Sequence, residues 1–399
     1  MKYIVWFSGG IDSTFVAWYL KQQGHDVLLV NLKNTYEPNK CCSIPTELFK
    51  ISDFLWLDLK IVDVTKDFKK FVIDDFVSSY LNWKTPNPCI NCNEQVRFKI
   101  LNKIRQEAGF DKVATGHYVK LKILQENTEI WRVNTKTHTE LDPISKKAGS
   151  ETSLGWEDLG CQFSKFPDNL QISYSFAISQ DVWKDQSYML YRLIKFQDIL
   201  EHLDFPLWKF KKTEIKEILK KEKFPVNTSK ESQNVCFIPD DDYPRFIKQQ
   251  TFVNLPSGKI VDVKWNYLWE HKGLLYYTIW QRKGLNLNTN EKKYVVKIDW
   301  ENNLLIVGDN EDLMEKEVNL AEKLLLLPGL EPNLKQIKQK IWKVYGKIRY
   351  KWSLQEIEEI TENKVIFKEP VRAVTPGQHL VLYAEKDWEL VVIGGGLIS

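Results

Sequence analysis

The sequence predicts an α/β protein in which a parallel-sheet domain is followed by two smaller β-rich domains. Up to about residue 120, strand-like and helix-like segments alternate, as they do in parallel sheets covered by helices on both faces. After about residue 248 the segments become short, rich in β-branched and aromatic residues, and separated by turn residues. We therefore predict domains at residues 1–248, 249–312 and 313–399, the last of them similar to a β-barrel.

The composition fits a multidomain globular protein. The 399 residues are 43% hydrophobic and 27% charged, which is enough apolar surface for ordinary cores. The net charge of +3 is small, so a nucleic-acid surface has to come from local basic patches. No segment approaches the roughly 18 apolar residues of a membrane span. Six cysteines without an export signal predict free thiols, a cytoplasmic location and no membrane partner.

Individual elements follow from the hydrophobic pattern. In the first domain we predict strands at 3–7, 26–30 and 111–115, and helices at 14–21, 98–108, 187–200 and 212–223. Residues 121–178 are polar with little periodicity and predict a partly flexible excursion from the domain. In the second domain we predict strands at 259–263, 274–279, 294–298 and 304–307.

The segment from Ser8 to Ser13, Ser-Gly-Gly-Ile-Asp-Ser, joins the first strand to the first helix. Its glycines let the backbone approach a ligand closely, while the helix N-terminus and the serine hydroxyls offer donors to an anion. Asp12 adds a carboxylate that can bind Mg²⁺. The segment lacks the Gly-Lys-Ser/Thr ending of the Walker loop. It resembles the PP-loop of enzymes that split ATP into AMP and pyrophosphate while adenylating a substrate. The alternative is a strand–turn–helix corner without a ligand.

Three cysteines form the second group of candidate residues. Cys89 and Cys92 belong to a Cys-x-x-Cys motif that two prolines stiffen on its N-terminal side. Such a motif fits a redox pair, half of a zinc site or part of an iron–sulfur site. A thioredoxin context is absent, and a zinc site would use Cys41 and Cys42. Cys236 lies in a short apolar, strand-like piece and, taken alone, is typical of a buried core cysteine.

Together, the loop and the cysteines resemble the MnmA family, the tRNA-specific 2-thiouridylases of bacteria and mitochondria. Further motifs follow the order of the family along the chain and leave only residues 121–178 and about 308–340 without a counterpart. The resemblance implies adenylation of the 2-carbonyl of the wobble uridine by ATP with Mg²⁺, followed by sulfur transfer that yields 2-thiouridine. The motifs lie at 8–13, 85–93, 114–118, 184–188, 232–240, 271–274, 277–279, 281–285, 349–350 and 374–378.

The resemblance also implies roles for individual residues. Cys92 corresponds to the catalytic nucleophile, and Cys236 to the cysteine that carries a persulfide received from a cysteine desulfurase or a sulfur-relay protein. The positions that correspond to the ATP site are Phe7, Ser8, Gly9, Gly10, Ile11, Asp12, Ser13, Thr14, Leu32 and Gly116. Those that correspond to contacts with the target base or the anticodon arm of tRNA are Asn87, Pro88, Cys89, His117, Lys184, Asp185, Gln186, Arg349, Tyr350 and Gln378.

Cys89 leaves two sulfur chemistries open. Many members of the family have Asp at this position, which has been viewed as a general acid or base. A thiol with an ordinary pKa of roughly 8.5 suits that role less well. One scheme is a persulfide relay through Cys236 and Cys92. In the other, Cys89, Cys92 and Cys236 hold a 4Fe–4S cluster whose open iron binds sulfide.

A basic segment predicts a phosphate-binding surface. Residues 335–351 contain seven basic side chains and no acidic one. If 343–351 is a strand, Lys343, Lys347 and Arg349 share one face with Lys351, and Tyr350 faces away unless the chain bends. The alternative is a solvated charged face. The basic helix at 211–223 contains glutamates and also predicts a solvated face.

Two positions depart from the family pattern, and two other functions stay open. Trp280 replaces the usual Gly before Gln-Arg-Lys-Gly, and Arg97 replaces the usual Lys before Phe98. Another PP-loop adenylating enzyme would need the loop but not the three cysteines. A non-catalytic, zinc-stabilised RNA-binding protein would not need Asp12, Cys92 and Cys236 together.

Overall fold

The computed structural model describes residues 1–34, 45–127, 130–133, 172–226, 235–238, 240–251, 256–287, 291–335, 337, 343–386 and 388–399. Within these ranges a parallel sheet with helices is followed by a mostly antiparallel central sheet and a larger antiparallel sheet. The predicted fold class is therefore confirmed.

The parallel sheet carries the predicted ligand loop. Its strand order is β3-β2-β1-β4-β8, and every neighbouring pair runs parallel. The strands of this sheet are β1 (Lys2–Trp6), β2 (Asp26–Lys33), β3 (Leu59–Asp63), β4 (Lys112–Ala114) and β8 (Leu203–Asp204). Between β4 and β8 the chain forms three strands of another sheet: β5 (Lys120–Asn127), β6 (Ile130–Val133) and β7 (Ile172–Ala177).

Helices cover both faces of this sheet. Because successive strand residues point to opposite faces, Ile4 packs in one core cluster and Val5 in the other. The helices are α1 (Ile11–Gln22), α2 (Pro45–Leu55), α3 (Thr65–Phe68), α4 (Asp74–Leu81), α5 (Pro88–Asn91), α6 (Phe98–Ala108), α7 (Ser187–Leu190), α8 (Gln197–Leu200), α9 (Lys212–Lys221) and α10 (Tyr243–Thr251). In the described part of the chain, no helix is long and apolar enough to cross a membrane.

Two helical segments each contain a π-helical turn, and these two turns pack against each other. Residues Lys69–Ile73 join α3 to α4, and Cys92–Arg97 join α5 to α6. π-helical turns are rare and occur frequently at functional sites. The second π turn begins at Cys92, one of the predicted catalytic thiols.

The central sheet has the order β10-β9-β12-β11. Its strands are β9 (Gly258–Asp262), β10 (Tyr267–His271), β11 (Tyr294–Asp299) and β12 (Leu304–Gly308). The strand predicted at 274–279 was wrong, because Leu274–Tyr276 form a 3₁₀ turn after Gly273 at φ 119°. The apolar side chains there are buried in the core of the domain, so the composition indicated burial rather than a strand.

The third sheet combines the C-terminal region with three strands from the first half of the chain. Its order is β13-β17-β16-β15-β18-β19-β7-β5-β6, with β14 also paired to β19. The strands contributed by the C-terminal region are β13 (Met314–Asn319), β14 (Leu325–Leu326), β15 (Lys343–Lys347), β16 (Gln355–Ile360), β17 (Lys364–Arg372), β18 (His379–Lys386) and β19 (Glu389–Leu397).

The predicted excursion at 121–178 was therefore wrong at both of its ends. β5 and β7 pair in register, and Ala177 of β7 lies opposite Val391 of β19. Lys120 and Lys122 both form ion pairs with Glu389, which fixes β5 to β19. Local composition did not reveal these strands because β5 pairs with β7 about 50 residues later, and β7 pairs with β19 about 200 residues later. Residues 134–171 lie outside the described part.

Candidate active site

The loop between β1 and α1 has the geometry of an anion-binding cradle. Gly9 adopts the left-handed φ of 76°, and a Cβ there would lie 2.6 Å from Leu48 Cδ2. The hydroxyls of Ser8 and Ser13 lie 3.2 Å apart, and Ser13 Oγ donates to the Gly10 carbonyl at 3.1 Å. Gly10 precedes α1 without a side-chain cap, so the first N–H groups of the helix are available to an anion.

Strands β1 and β2 support this loop from below. The Phe7 amide donates to the Val30 carbonyl at 2.8 Å, and Asn31 Nδ2 donates to the Phe7 carbonyl at 2.8 Å. The side chains of Phe7, Ile11, Thr14 and Leu32 are all buried, so they hold the loop in place rather than line its open side. Leu32 is the next-to-last residue of β2, at the carboxyl end of the parallel strands, where the loop also lies.

Gly116 closes the cradle from the side of β4. A Cβ at this position would lie 2.9 Å from Asp12 Cβ and 3.1 Å from the Ser13 amide nitrogen. The backbone after β4 therefore approaches α1 more closely than any residue with a side chain permits.

Asp12 has two hydrogen-bond donors that sequence reasoning missed. Tyr118 Oη donates to Asp12 Oδ1 at 2.7 Å, and Lys212 Nζ does so at 2.5 Å. Lys212 is 8% exposed, so the prediction of a solvated face at 211–223 was wrong for this residue. The signal was present in the sequence, because Lys212 lies three residues before Ile215 and seven before Leu219, on the buried stripe of α9.

The segment from Ser179 to Ser187 connects the cradle to the rest of the site. Gln186 exchanges two hydrogen bonds with the backbone of Tyr118, at 2.8 and 3.0 Å. Asp185 accepts hydrogen bonds from the Ser179 amide and the Ser187 hydroxyl, and burial raises its pKa to about 6. Lys184 is half-buried beside them. Asp185 and Gln186 therefore serve first to fix this segment against the 116–118 loop.

The loop that carries Cys89 is held by the C-terminal region. The Thr85 amide donates to the Pro376 carbonyl at 2.8 Å, and Gln378 Nε2 donates to the Thr85 carbonyl at 2.7 Å. A Cβ on Gly377 would lie 2.8 Å from the Thr85 nitrogen. Gln378, predicted to contact tRNA, therefore holds the cysteine loop in this structure.

The cysteine motif itself begins α5. Asn87 precedes the helix and Pro88 is its buried first residue. Cys89 is exposed, whereas Cys92 is half-buried. Two side-chain amides contact Met189. Asn87 Nδ2 lies 3.5 Å from its Sδ, and Asn93 Nδ2 donates to its carbonyl oxygen at 3.1 Å. An exposed and a partly covered thiol are thus presented one helical turn apart.

Cys236 lies in a turn rather than in the strand-like piece predicted for it. Its neighbour Phe237 is buried among Phe68, Phe76 and Phe246, which anchors the turn. Cys236 and Cys92 are half-buried and pack against the same core cluster. Residues 227–234 and 239, on either side of this turn, lie outside the described part.

The three cysteines do not form a metal site in this structure. Across the described ranges, no group of three or more Cys, His, Asp or Glu side chains is arranged to hold a metal ion. Cys89, Cys92 and Cys236 are therefore not part of any such group in the described residues. Cys41 and Cys42, the predicted zinc ligands, lie outside the described residues.

His117 is enclosed rather than exposed to a tRNA. It is 5% exposed, and burial together with the positive charge of Arg97 lowers its pKa well below the usual value. Arg97 Nη1 lies 3.2 Å from His117 Nε2. Because arginine only donates, Nε2 accepts and the Nδ1–H donates to Thr115 Oγ1 at 2.8 Å. His117 therefore has no exposed nitrogen to offer in this structure.

The strand predicted at 343–351 is confirmed only for its first part. Within β15, Val344 is buried while Lys343 is exposed and Lys347 half-exposed, as alternation requires. The strand ends at Lys347, and the bend that Tyr350 would require follows it. Arg349 instead donates to Thr375 Oγ1, and burial lowers its pKa to about 10.

Tyr350 lies near the exposed thiol. Burial raises its pKa to about 12, and the negative charges of Asp185 and Cys89 add to this. Tyr350 therefore belongs to the surroundings of Cys89, and Arg349 to the contact between domains. Lys338 and Lys340 lie outside the described part.

The fold and the site define a class of protein: a PP-loop nucleotide-binding domain whose thiol loop is held by an appended β domain. Three family descriptions match the chain in this order. "tRNA methyl transferase HUP domain" matches residues 1–142 and 159–240. "tRNA methyl transferase PRC-barrel domain" matches 245–309, and "Aminomethyltransferase beta-barrel domain" matches 332–398.

Full-length relatives give the family. A protein of Thermoanaerobacter sp. (strain X514) named tRNA-specific 2-thiouridylase MnmA 2 is 35% identical over 98% of this chain and 96% of its own length. MnmA of Clostridioides difficile (strain 630) is 33% identical over 100% of this chain and 98% of its own length. MnmA of Clostridium acetobutylicum is 33% identical over 100% of this chain and 99% of its own length. The chain belongs to the MnmA family of tRNA-specific 2-thiouridylases, which confirms the resemblance seen in the sequence.

Proposed function

We propose that this protein is an ATP-dependent tRNA 2-thiouridylase that acts in the cytoplasm and replaces the 2-oxygen of the wobble uridine by sulfur. One observation carries the proposal: the anion cradle at Ser8–Ser13 and the cysteine loop are connected through Tyr118, which bonds to Asp12 and to Gln186, and through Met189, which follows Gln186 and bonds to Asn93. Activation of an oxygen and delivery of sulfur can therefore occur at one bound base.

The cradle supports the activation step. The uridine 2-oxygen attacks the α-phosphorus of ATP, and the bond between the α- and β-phosphates breaks to release pyrophosphate. The N–H groups at the start of α1 and the hydroxyls of Ser8 and Ser13 would bind the phosphates. Asp12 is the carboxylate that would hold Mg²⁺, which neutralises phosphate charge. Its two hydrogen bonds both use Oδ1.

The thiols support the second step as a persulfide relay. A cysteine desulfurase or a sulfur-relay protein would load Cys236 with a persulfide. Its terminal sulfur attacks C2, and the C2–O bond breaks with the electron pair leaving on AMP. The Cys92 thiolate then attacks the Cys236 sulfur, which releases 2-thiouridine and leaves a Cys92–Cys236 disulfide. A thiol reductant restores both cysteines. The relay needs only the two thiols that Cys92 and Cys236 supply, and both are partly accessible.

The substrate would be held by several domains. Lys347 on β15 offers positive charge near Asp185 and Tyr350, and the exposed Cys89 lies near Tyr350 as well. Lys343 on the same strand is also exposed. Base chemistry requires the target uridine to leave the anticodon stack, and an exposed loop with Asn87, Pro88 and Cys89 is suited to receive it.

The test is a reaction with purified protein, ATP, Mg²⁺, a sulfur donor and a tRNA transcript, with a transcript carrying wobble cytidine as the control. We expect 2-thiouridine, AMP and pyrophosphate in equal amounts, measured by nucleoside mass spectrometry and nucleotide chromatography, from the uridine transcript alone. AMP without 2-thiouridine would identify a different PP-loop adenylating enzyme. Tight tRNA binding with bound zinc and no AMP would identify a non-catalytic RNA-binding protein.

A further inference from the structure

We propose that Arg97 is a catalytic residue that binds the phosphate of the adenylated uridine and stabilises the departing AMP; this rests on the proposed function. Arg97 ends the π turn that begins at Cys92. Its guanidinium contacts three elements of the site. It donates to the Asn93 side chain, lies 3.2 Å from His117 Nε2, and stacks 3.7 Å above the Trp6 ring.

These three contacts place one cation between the two halves of the site. Trp6 is the last residue of β1, just before the cradle. His117 directly follows Gly116, which closes the cradle, and Asn93 directly follows the Cys92 thiol. The phosphate of an adenylated uridine must also bridge these halves, because its phosphorus comes from the cradle and its C2 must reach the sulfur. The guanidinium therefore lies where that phosphate has to be.

The charge of Arg97 is left uncompensated by its partners. The hydrogen bonds use Nη1, so most of the five N–H donors of the guanidinium stay available. Its partners are an amide, a neutral imidazole and an indole, and no acidic side chain of the described residues pairs with it. The neighbouring Glu94 is already paired with Arg192 and Lys195. A half-buried cation without a carboxylate is a ready site for a phosphate oxygen.

The chemistry uses this charge when the C2–O bond breaks. The electron pair of that bond passes to the AMP oxygen, so negative charge grows on the phosphate as sulfur becomes bonded to C2. A guanidinium held in advance by Asn93 and His117 stabilises that charge without rearranging.

The variant Arg97→Gln tests this, because glutamine keeps a hydrogen-bond donor for Asn93 and His117 but removes the charge. We expect 2-thiouridine formation under single-turnover conditions to fall at least about 100-fold, as for other preorganised charge stabilisers. Arg97→Lys, which restores the charge, should recover the rate to within about tenfold of wild type. Lys99→Gln, an exposed change on the adjoining helix, is the matched control.

Binding and stability measurements separate the roles. The tRNA dissociation constant and the unfolding midpoint should stay near those of wild type in all three variants. Arg97→Gln with wild-type turnover would overturn the proposal, as would a folded Arg97→Lys no more active than Arg97→Gln. If the proposed function itself were wrong, wild-type protein would form no 2-thiouridine, which is a different result.

A second, independent inference comes from the backbone at tryptophan positions. Of the ten non-glycine residues with positive φ in the described ranges, five are tryptophans with φ from 50° to 75°. A bulky residue in this left-handed region is a steric outlier, whereas glycine adopts it freely. The five are Trp56, Trp83, Trp265, Trp280 and Trp388.

The positions are those where chains ordinarily use glycine. Trp56 follows the end of α2, which is the usual site of a helix-terminating glycine. Trp265 and Trp388 lie in the turns of the β9–β10 and β18–β19 hairpins, with 64% and 95% of their surface exposed. Trp280 precedes Gln281-Arg282-Lys283-Gly284, where the resemblance described above implies a glycine. The chain has 15 tryptophans and 18 glycines, although average usage of about 7% would give about 28 glycines.

We infer that these five codons are read as glycine in the cell that makes this protein. The codon UGA is decoded as tryptophan in some genetic codes and as glycine in another, so one codon accounts for both the excess of tryptophan and the glycine-like backbone. The chain made by its own cell would then fold without left-handed tryptophans.

Three measurements test this inference. We expect UGA at all five positions of the gene, and glycine in the corresponding peptides of protein purified from its native source and analysed by mass spectrometry. Replacing the five tryptophans together by glycine should raise the unfolding midpoint, and replacing them by alanine, which keeps a Cβ, should raise it less. UGG codons, or tryptophan in the native peptides, would overturn it.

Discussion

Replacing Cys236 by serine is expected to abolish 2-thiouridine formation while leaving adenylation of the tRNA intact. A serine hydroxyl cannot carry a persulfide, and the cradle at Ser8–Ser13 belongs to a different part of the core. Loss of a covalent nucleophile should lower sulfur transfer by at least about 1,000-fold. Nucleoside mass spectrometry reports the thiolated product, and pyrophosphate release reports adenylation.

The partner variant Cys92→Ser distinguishes the two thiols. Without Cys92 the disulfide between the uridine sulfur and Cys236 is not resolved, so we expect a covalent protein–tRNA adduct that a thiol reductant releases. Cys89→Ser removes a thiol of the same loop that the relay does not use, so this variant should accumulate no adduct; a lower rate of thiolation would report the contact of Cys89 with the target base. Thiolation by Cys236→Ser at the wild-type rate would contradict the relay, whereas loss of thiolation in Cys89→Ser as well as in the other two variants would favour a cluster held by all three cysteines.

Replacing Gly116 by alanine is expected to lower ATP-dependent adenylation at least about 100-fold, because the structure leaves no space for the added methyl group. That Cβ would lie 2.9 Å from Asp12 Cβ and 3.1 Å from the Ser13 nitrogen. The backbone of one segment would have to move, and either movement changes the spacing of the phosphate donors. Pyrophosphate release at varied ATP concentration measures the effect.

The control for this variant is Gly109→Ala. Gly109 ends α6 with a left-handed φ of 66° and has no atom within 4 Å of the added Cβ. This change should lower the free energy of unfolding by about 1 kcal/mol through backbone strain, and leave adenylation unchanged. Equal loss of adenylation in both variants would mean that stability, rather than the cradle, limits the Gly116→Ala protein.

The sequence predicted the parts of the molecule whose structure is decided locally. The strand before Ser8, the helix after it and the helix at 98–108 each carry their own periodicity, and Phe98–Ala108 was predicted without error. The strand after this helix was placed correctly as well. The ligand loop at Ser8–Ser13 could be recognised because all of its glycine, serine and aspartate residues are adjacent in the sequence.

The errors concern contacts between residues that are distant in the chain. The pairing of β7 with β19, the turn at Cys236 and the end of the basic strand at Lys347 all depend on partners that local patterns do not show. Lys212 is the exception, since the apolar stripe of α9 already placed it on the buried face. Its meeting with Asp12, 200 residues earlier, could come only from the tertiary structure.

The contact between Gln378 and Thr85 also affects the order of events during synthesis. The two residues are 293 positions apart, and the cysteine loop depends on that hydrogen bond and on the neighbouring Pro376 carbonyl. A nascent chain can fold its nucleotide loop early, because the elements around Ser8 are all made in the first part of translation. Its cysteine loop reaches its final position only after the turn at 375–378 has left the ribosome. An unfinished chain would therefore be able to meet ATP but not to place sulfur on a tRNA.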